Sequence, residues 1–233
     1  MIYTGIATRE GTALDNADAA RVHTLANGTV GAALIDGMGH GPRTSATAPL
    51  LAETAARISA RRSPLSGLLT ASELIADPGP DGEEADAVAV TVRIRPSDAV
   101  AVVNWTGDTR AYGWNGDRLE LYTDDHTVGA QLRANGVALE IAREHDNWLR
   151  TTLARATVGT VYTAGICDHL IVLTSDGVHD QVPAAVLEAL VREHAAAPQA
   201  LADALVAAAR TDEDGYRDDA TALVLLVVPP VTS

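Results

Sequence analysis

Four aspartates stand in similar surroundings along the chain: Asp36 in LIDGMGHG, Asp108 in NWTGDTRAYGW, Asp176 in LIVLTSDGVHD and Asp218 in YRDDATALVLLVV. Each borders an apolar run of strand-forming residues, and three of them have a glycine beside them, at Gly37, Gly107 and Gly177. A carboxylate at a strand boundary can be gathered with others at one edge of a sheet, since glycine permits tight turns and close approach of backbone to a ligand. Carboxylates, a backbone carbonyl and water are the ligand set of hard cations such as Mg²⁺ or Mn²⁺, and one carboxylate can bridge two ions. Zinc fits this set less well. Taken singly, each Asp-Gly is equally readable as an ordinary turn dipeptide; it is the recurrence that points to metal chemistry.

The elements that must position these residues are legible as short blocks. Apolar stretches of high strand propensity at 30–35, 87–94, 99–105, 170–174 and 220–228 predict strands. Ala- and Leu-rich stretches at 44–60, 64–76, 183–194 and 198–211, each with Pro near its start, predict helices. Turn signals at Arg95-Pro96-Ser97-Asp98 and Asn115-Gly116-Asp117 join neighbouring strands in antiparallel fashion. Helices that come in pairs, and not after every strand, exclude a regular βαβ alternation. The expectation is a layered α+β domain formed by residues 1–233 as one unit. The acidic, breaker-rich segment 77–84 is read as a surface loop in preference to a linker.

Apolar residues make up 47% of the chain but aromatics only 3%, with no Phe, so the core must be built from Ala, Val and Leu. A net charge of −14 opposes a phosphate backbone and excludes nucleic acid as a partner. The single cysteine, Cys167, excludes an internal disulfide and Cys-rich zinc motifs; it is read as a small core residue. It also lacks the CX₅R arrangement of cysteine phosphatases, and no Walker segment is present. With no basic segment ahead of a long apolar one, a soluble cytoplasmic protein without membrane contact is expected.

In order and approximate spacing, DGMGHG, GDTRAYGW, SDGVHD and DDAT resemble the PPM family of metal-dependent protein phosphatases, the PP2C-like enzymes, in their bacterial form. NGDRLELYTDDHT and NWLRTTLARA are similar to bacterial members as well, so the resemblance covers nearly the whole chain. It implies a four-layer αββα sandwich, two antiparallel sheets flanked by helix pairs, with a metal cleft at one end. The implied activity is hydrolysis of phosphoserine or phosphothreonine in proteins, by a water or hydroxide bridging two Mn²⁺ or Mg²⁺ ions. Carried over by position, Asp36 bridges the two ions, the Gly37 carbonyl binds one, Asp176 and Asp218 bind the other, and Asp108 binds a third. Asp219 is a neighbour of the ligands, and Asp18, in Asn16-Ala17-Asp18, orients metal-bound water. The segment 128–148 corresponds to a flap beside the site. Implied partners are a phosphoprotein, with DGMGHG resembling the branch that acts on anti-anti-sigma factors, and a kinase. A monomer is expected.

The pattern departs from the family at several points. The family's phosphate-binding Arg is replaced by Ala13, and the middle of the Asn-Glu-Asp element by Ala17. Arg9 lies seven residues before Asn16 and is read as a surface residue. Met38 stands where eukaryotic relatives carry a His; His40 is a candidate proton donor, while His126 is read as a hydrogen-bonded turn residue. Three readings stay open: an active phosphoprotein phosphatase, a pseudophosphatase that binds phosphoproteins without turnover, and a phosphatase of small metabolites.

Overall fold

In the computed structural model, which describes residues 1–233 except 14, 40, 78–84, 213 and 229–233, the apolar blocks pair into two five-stranded sheets. The first sheet runs β1 (Ile2–Arg9), β10 (Ala220–Val227), β9 (Leu170–Thr174), β6 (Arg110–Trp114), β7 (Leu119–Leu121). The second runs β2 (Ala19–Thr24), β3 (Val30–Met38), β4 (Asp86–Ile94), β5 (Ala101–Thr106), β8 (Tyr162–Ile166). Every neighbouring pair is antiparallel. Helices α1 (Pro42–Arg61) and α2 (Pro64–Ser72) cover the second sheet; α6 (Ala184–His194) and α7 (Pro198–Ala208) cover the first. The result is the four-layer αββα arrangement.

Strand alternation builds three apolar layers at once. On β3, Ala32 and Leu34 face the other sheet, where they share a cluster with Leu173, Leu223 and Leu225, while Ala33 and Ile35 face α1. Strands buried on both faces read as continuous apolar runs, which is why β3, β4, β9 and β10 are conspicuous in the sequence. Small residues let the layers sit close. A Cβ on Gly31 would lie 2.3 Å from the Ala56 carbonyl oxygen, so α1 rests almost directly on the β3 backbone. Ser63 caps α2 by accepting from the Ser66 N–H at 3.0 Å, with Pro64 in the first turn.

Sequence and structure part company mainly at the sheet margins. β1, β2, β7 and β8 are edge strands whose mixed burial hides them from a search for apolar blocks, while β6 is buried but offers no apolar run, its five residues being Arg-Ala-Tyr-Gly-Trp. The helices end earlier than expected, at Ser72 and Ala208. Cys167 is not a core residue: it is exposed in the turn between β8 and β9. The acidic segment 78–84 falls outside the described residues. Among the described residues no helix is long and apolar enough to cross a membrane.

Leu173 is fully buried in the layer between the sheets. Leu173→Ala is expected to cost about 2–5 kcal/mol through lost transfer energy and a residual cavity. Urea unfolding should show a lower midpoint with an unchanged slope.

Candidate active site

Strand ends from both sheets meet at one end of the sandwich. Asp36 lies within the last turn of chain on β3, opposite Val88 of β4, because the strand runs on to Met38. Asp108 follows Gly107 in the tight β5–β6 turn, where Gly107 takes a φ of 89° and packs against Val88. Asp176 opens the short helix α5 (Asp176–His179) after β9, and Asp218 stands two residues ahead of β10. These four carboxylates and Gly37 line one cavity of about 470 Å³.

Close backbone contacts fix this arrangement. A Cβ on Gly177 would lie 1.9 Å from the Asp219 carbonyl oxygen, so only glycine lets α5 press against the start of β10 and bring Asp176 beside Asp218. Asp219 is buried, and both its oxygens are engaged by backbone: Oδ1 accepts from Gly11 N–H and Oδ2 from Ala17 N–H, each at 2.7 Å. It therefore ties the 11–17 segment to the first sheet. Asp18 sits buried behind the cavity, where Ser175 Oγ donates to its Oδ2 at 2.7 Å and in turn accepts from Thr221 N–H at 2.9 Å. The Asp176 N–H points to Asp36 Oδ2 at 3.5 Å, the long end of hydrogen bonding.

The electrostatics are those of carboxylates held together without a counter-charge. Burial, then Asp176, Asp18, Asp108 and Asp218, push the Asp36 carboxyl well above its ordinary range. Burial and the Asp218 and Asp108 charges raise Asp176 to about 7; burial and Asp125 raise Asp108 to about 6. Asp18 is also raised well above the ordinary range, chiefly by burial. No arginine or histidine among the described residues lines the cavity. The nearest guanidinium, Arg110, is clamped by Asp125 through Nε at 3.0 Å and Nη2 at 2.6 Å. Hard donors with uncompensated charge fit Mg²⁺ or Mn²⁺ in type. As placed, however, no three His, Cys, Asp or Glu side chains among the described residues close around a common point, so ligation requires the carboxylates to draw together.

Other residues singled out in the sequence fall elsewhere. Arg9 is half-buried and donates to the Ala209 carbonyl, so it is neither fully exposed nor in the cavity. His126 is buried behind the Asp108 turn: its Nδ1 accepts from Gly107 N–H at 3.3 Å and its own N–H donates to the Gly107 carbonyl at 2.9 Å. Met38 is exposed at the cavity, and His40 lies outside the described residues. The 128–148 segment contains α3 (Val128–Ala134) and α4 (Leu139–Arg143). Asn147, Asp180 and Tyr216, which sit within NWLRTTLARA, SDGVHD and YRDDAT without a role assigned to them, line the cavity too, as does Gln181. Ser175 is the one supporting residue with a signal, its place in SDG.

No protein-family model matches the chain, and no curated protein matches it in sequence. Solved structures do. The serine/threonine phosphatase of S. agalactiae superposes with a TM-score of 0.79 at 17% identity, over 98% of this chain and 100% of that one. The PPM Ser-Thr phosphatase of Mycobacterium smegmatis, solved with cacodylate, gives 0.74 at 23% identity over 97% and 98%. The Mycobacterium tuberculosis serine/threonine phosphatase gives 0.70 at 20% over 97% and 98%. The chain thus has the fold of the bacterial PPM phosphatases along its full length.

A carboxyl that ionises less readily when folded lowers stability as pH rises from the unfolded value, 3.8, through the folded one, about 7 for Asp176. In EDTA at pH 8 the full penalty is present, so Asp176→Asn should unfold at a higher temperature than wild type. That difference should shrink as the pH is lowered towards 4; a variant less stable at pH 8 would contradict the assigned repulsion.

Proposed function

We propose that this chain is a metal-dependent phosphatase that hydrolyses phosphoserine or phosphothreonine in proteins. The observation that carries this reading is the convergence of Asp36, Asp108, Asp176 and Asp218, from both sheets, on one cavity that no arginine or histidine among the described residues lines. The shared fold with bacterial PPM phosphatases supports it. Asp36, the Gly37 carbonyl, Asp176 and Asp218 would hold two Mn²⁺ or Mg²⁺ ions, with Asp108 serving a third. When bound, such ions lower the pKa of water and offset charge on the phosphoryl oxygens.

The chain's own residues do the rest. Asp18, fixed by the Ser175 hydroxyl, is a hydrogen-bond acceptor behind the ligands and keeps Asp176 and the 16–18 segment in register. Tyr216, whose hydroxyl is hydrogen-bonded to Asp218 and pushed up to about 12 by burial and that charge, stays protonated and steadies the carboxylate. With Ala13 in place of an arginine, the Asn147 and Gln181 amides are the neutral donors within the cavity that can meet phosphoryl oxygens. The reading places the enzyme in the cytoplasm as a monomer, with a phosphorylated anti-anti-sigma factor as the substrate class suggested by DGMGHG.

A second reading, capture of phosphoproteins without turnover, draws on the absence of a cavity arginine among the described residues and on the open carboxylate arrangement. Hydrolysis of p-nitrophenyl phosphate and a phosphothreonine peptide with Mn²⁺, Mg²⁺ or EDTA separates the two. Turnover is expected only with metal and should be abolished in Asp36→Asn and Asp176→Asn. Asp18→Asn should retain metal binding and lose about 10–100-fold in rate. Calorimetric metal binding without turnover in wild type would favour the binding module.

A further inference from the structure

A second cavity, of about 650 Å³, lies between α3 and the margin of the first sheet. Unlike the first, it gathers arginines. The chain's 17 basic residues are all arginine against 31 acids, yet Arg110, Arg133 and Arg150 all line this one pocket. Two are already matched: Arg110 by Asp125, and Arg133 by Asp146 at 2.6 Å. Arg150 is exposed and makes no ion pair or side-chain hydrogen bond among the described residues. Asp124, also exposed and lining the pocket, balances the remaining charge, so the pocket offers one free guanidinium and not a positive field.

The backbone beneath Arg150 is held firmly. Its N–H donates to the His126 carbonyl at 2.8 Å, next to the antiparallel Thr127–Leu149 bridge and the Val128 N–H to Trp148 carbonyl bond. His126 lines the pocket too. Its Nδ1 is engaged by the Gly107 N–H at 3.3 Å and the Thr151 hydroxyl at 2.9 Å, while Nε2 is buried and has no partner among the described residues. Tyr162 stands edge-on to His126 with ring centroids 4.2 Å apart, and nearly half its surface is exposed, leaving a flat apolar wall. An unpaired guanidinium carried on a held backbone, in the same pocket as an exposed aromatic face, matches a phosphate joined to a planar ring system. The volume is in the range of small-molecule sites.

We infer that this cavity binds a mononucleotide-like organic phosphate, its phosphate on Arg150 and its base against Tyr162. Such a ligand touches α3 on one side and the sheet on the other. It would therefore fasten the 128–148 segment, which ends at the Asn147 that lines the carboxylate cavity. The inference is independent of the proposed activity.

The test is calorimetric titration of the full chain with AMP and with inorganic phosphate, in EDTA, where the cation-free carboxylate cavity repels anions. AMP should bind at one site, and more tightly than phosphate. Arg150→Ala, at an exposed position that circular dichroism can verify as folded, should weaken AMP about tenfold or more, as expected for loss of a charge-assisted contact. Tyr162→Ala should weaken AMP while leaving phosphate unchanged, and Asp176→Asn should affect neither. Bound AMP should also slow amide exchange in 128–134. No saturable AMP binding at millimolar concentration, or equal affinity in Arg150→Ala, overturns the inference.

Discussion

Four carboxylates facing one cavity repel one another, and the rest of the structure holds them there. The raised pKa values of Asp36, Asp108 and Asp176 express that opposition: burial removes solvent, and neighbouring charges disfavour ionisation. The opposing force is apolar. Three layers of buried Ala, Val, Leu and Ile, one between the sheets and one under each helix pair, fix the strand ends from which the aspartates project. A site of this kind is built against its own electrostatics, which is the usual condition of functional groups that await a ligand.

The precision comes from backbone contacts more than from side-chain pairing. Gly177 admits the Asp219 carbonyl, Gly31 admits α1, and Asp219 clamps two amides of the 11–17 segment. Ser175 serves two masters, donating to Asp18 while accepting from Thr221, so one hydroxyl joins the N-terminal segment, the β9 end and β10. Arg110 is held by Asp125 and reaches only the cavity's rim, at Asp180 3.8 Å away, which leaves carboxylates as the charged groups lining the cavity among the described residues. Replacing Asp125 would free that guanidinium next to a cluster that would attract it.

What could be read in advance follows from the same physics. The central strands β3, β4, β9 and β10 are buried on both faces and declare themselves as unbroken apolar runs; the edge strands alternate and do not. The aspartates were visible because each carries its strand and its turn within a few residues. Asn147 and Gln181 were not, since their role depends on where long-range packing sets them down. Cys167 misled because a small apolar side chain usually prefers the interior, and here a turn exposes it. Local pattern reports burial well and convergence poorly.

The order of strands in the first sheet has a kinetic corollary. β10 lies between β1 and β9, and Ile2 pairs with Val227. During synthesis β1 therefore has no neighbour in its own sheet until β10 has left the ribosome. The second sheet faces no such wait between β2 and β5, whose partners follow one another closely. Closing so long a loop is slow and leaves strand edges open meanwhile. Asp218 arrives just ahead of β10, so a nascent chain carries an incomplete acidic site until that strand has been made, and the site is completed in the same step that closes the sheet.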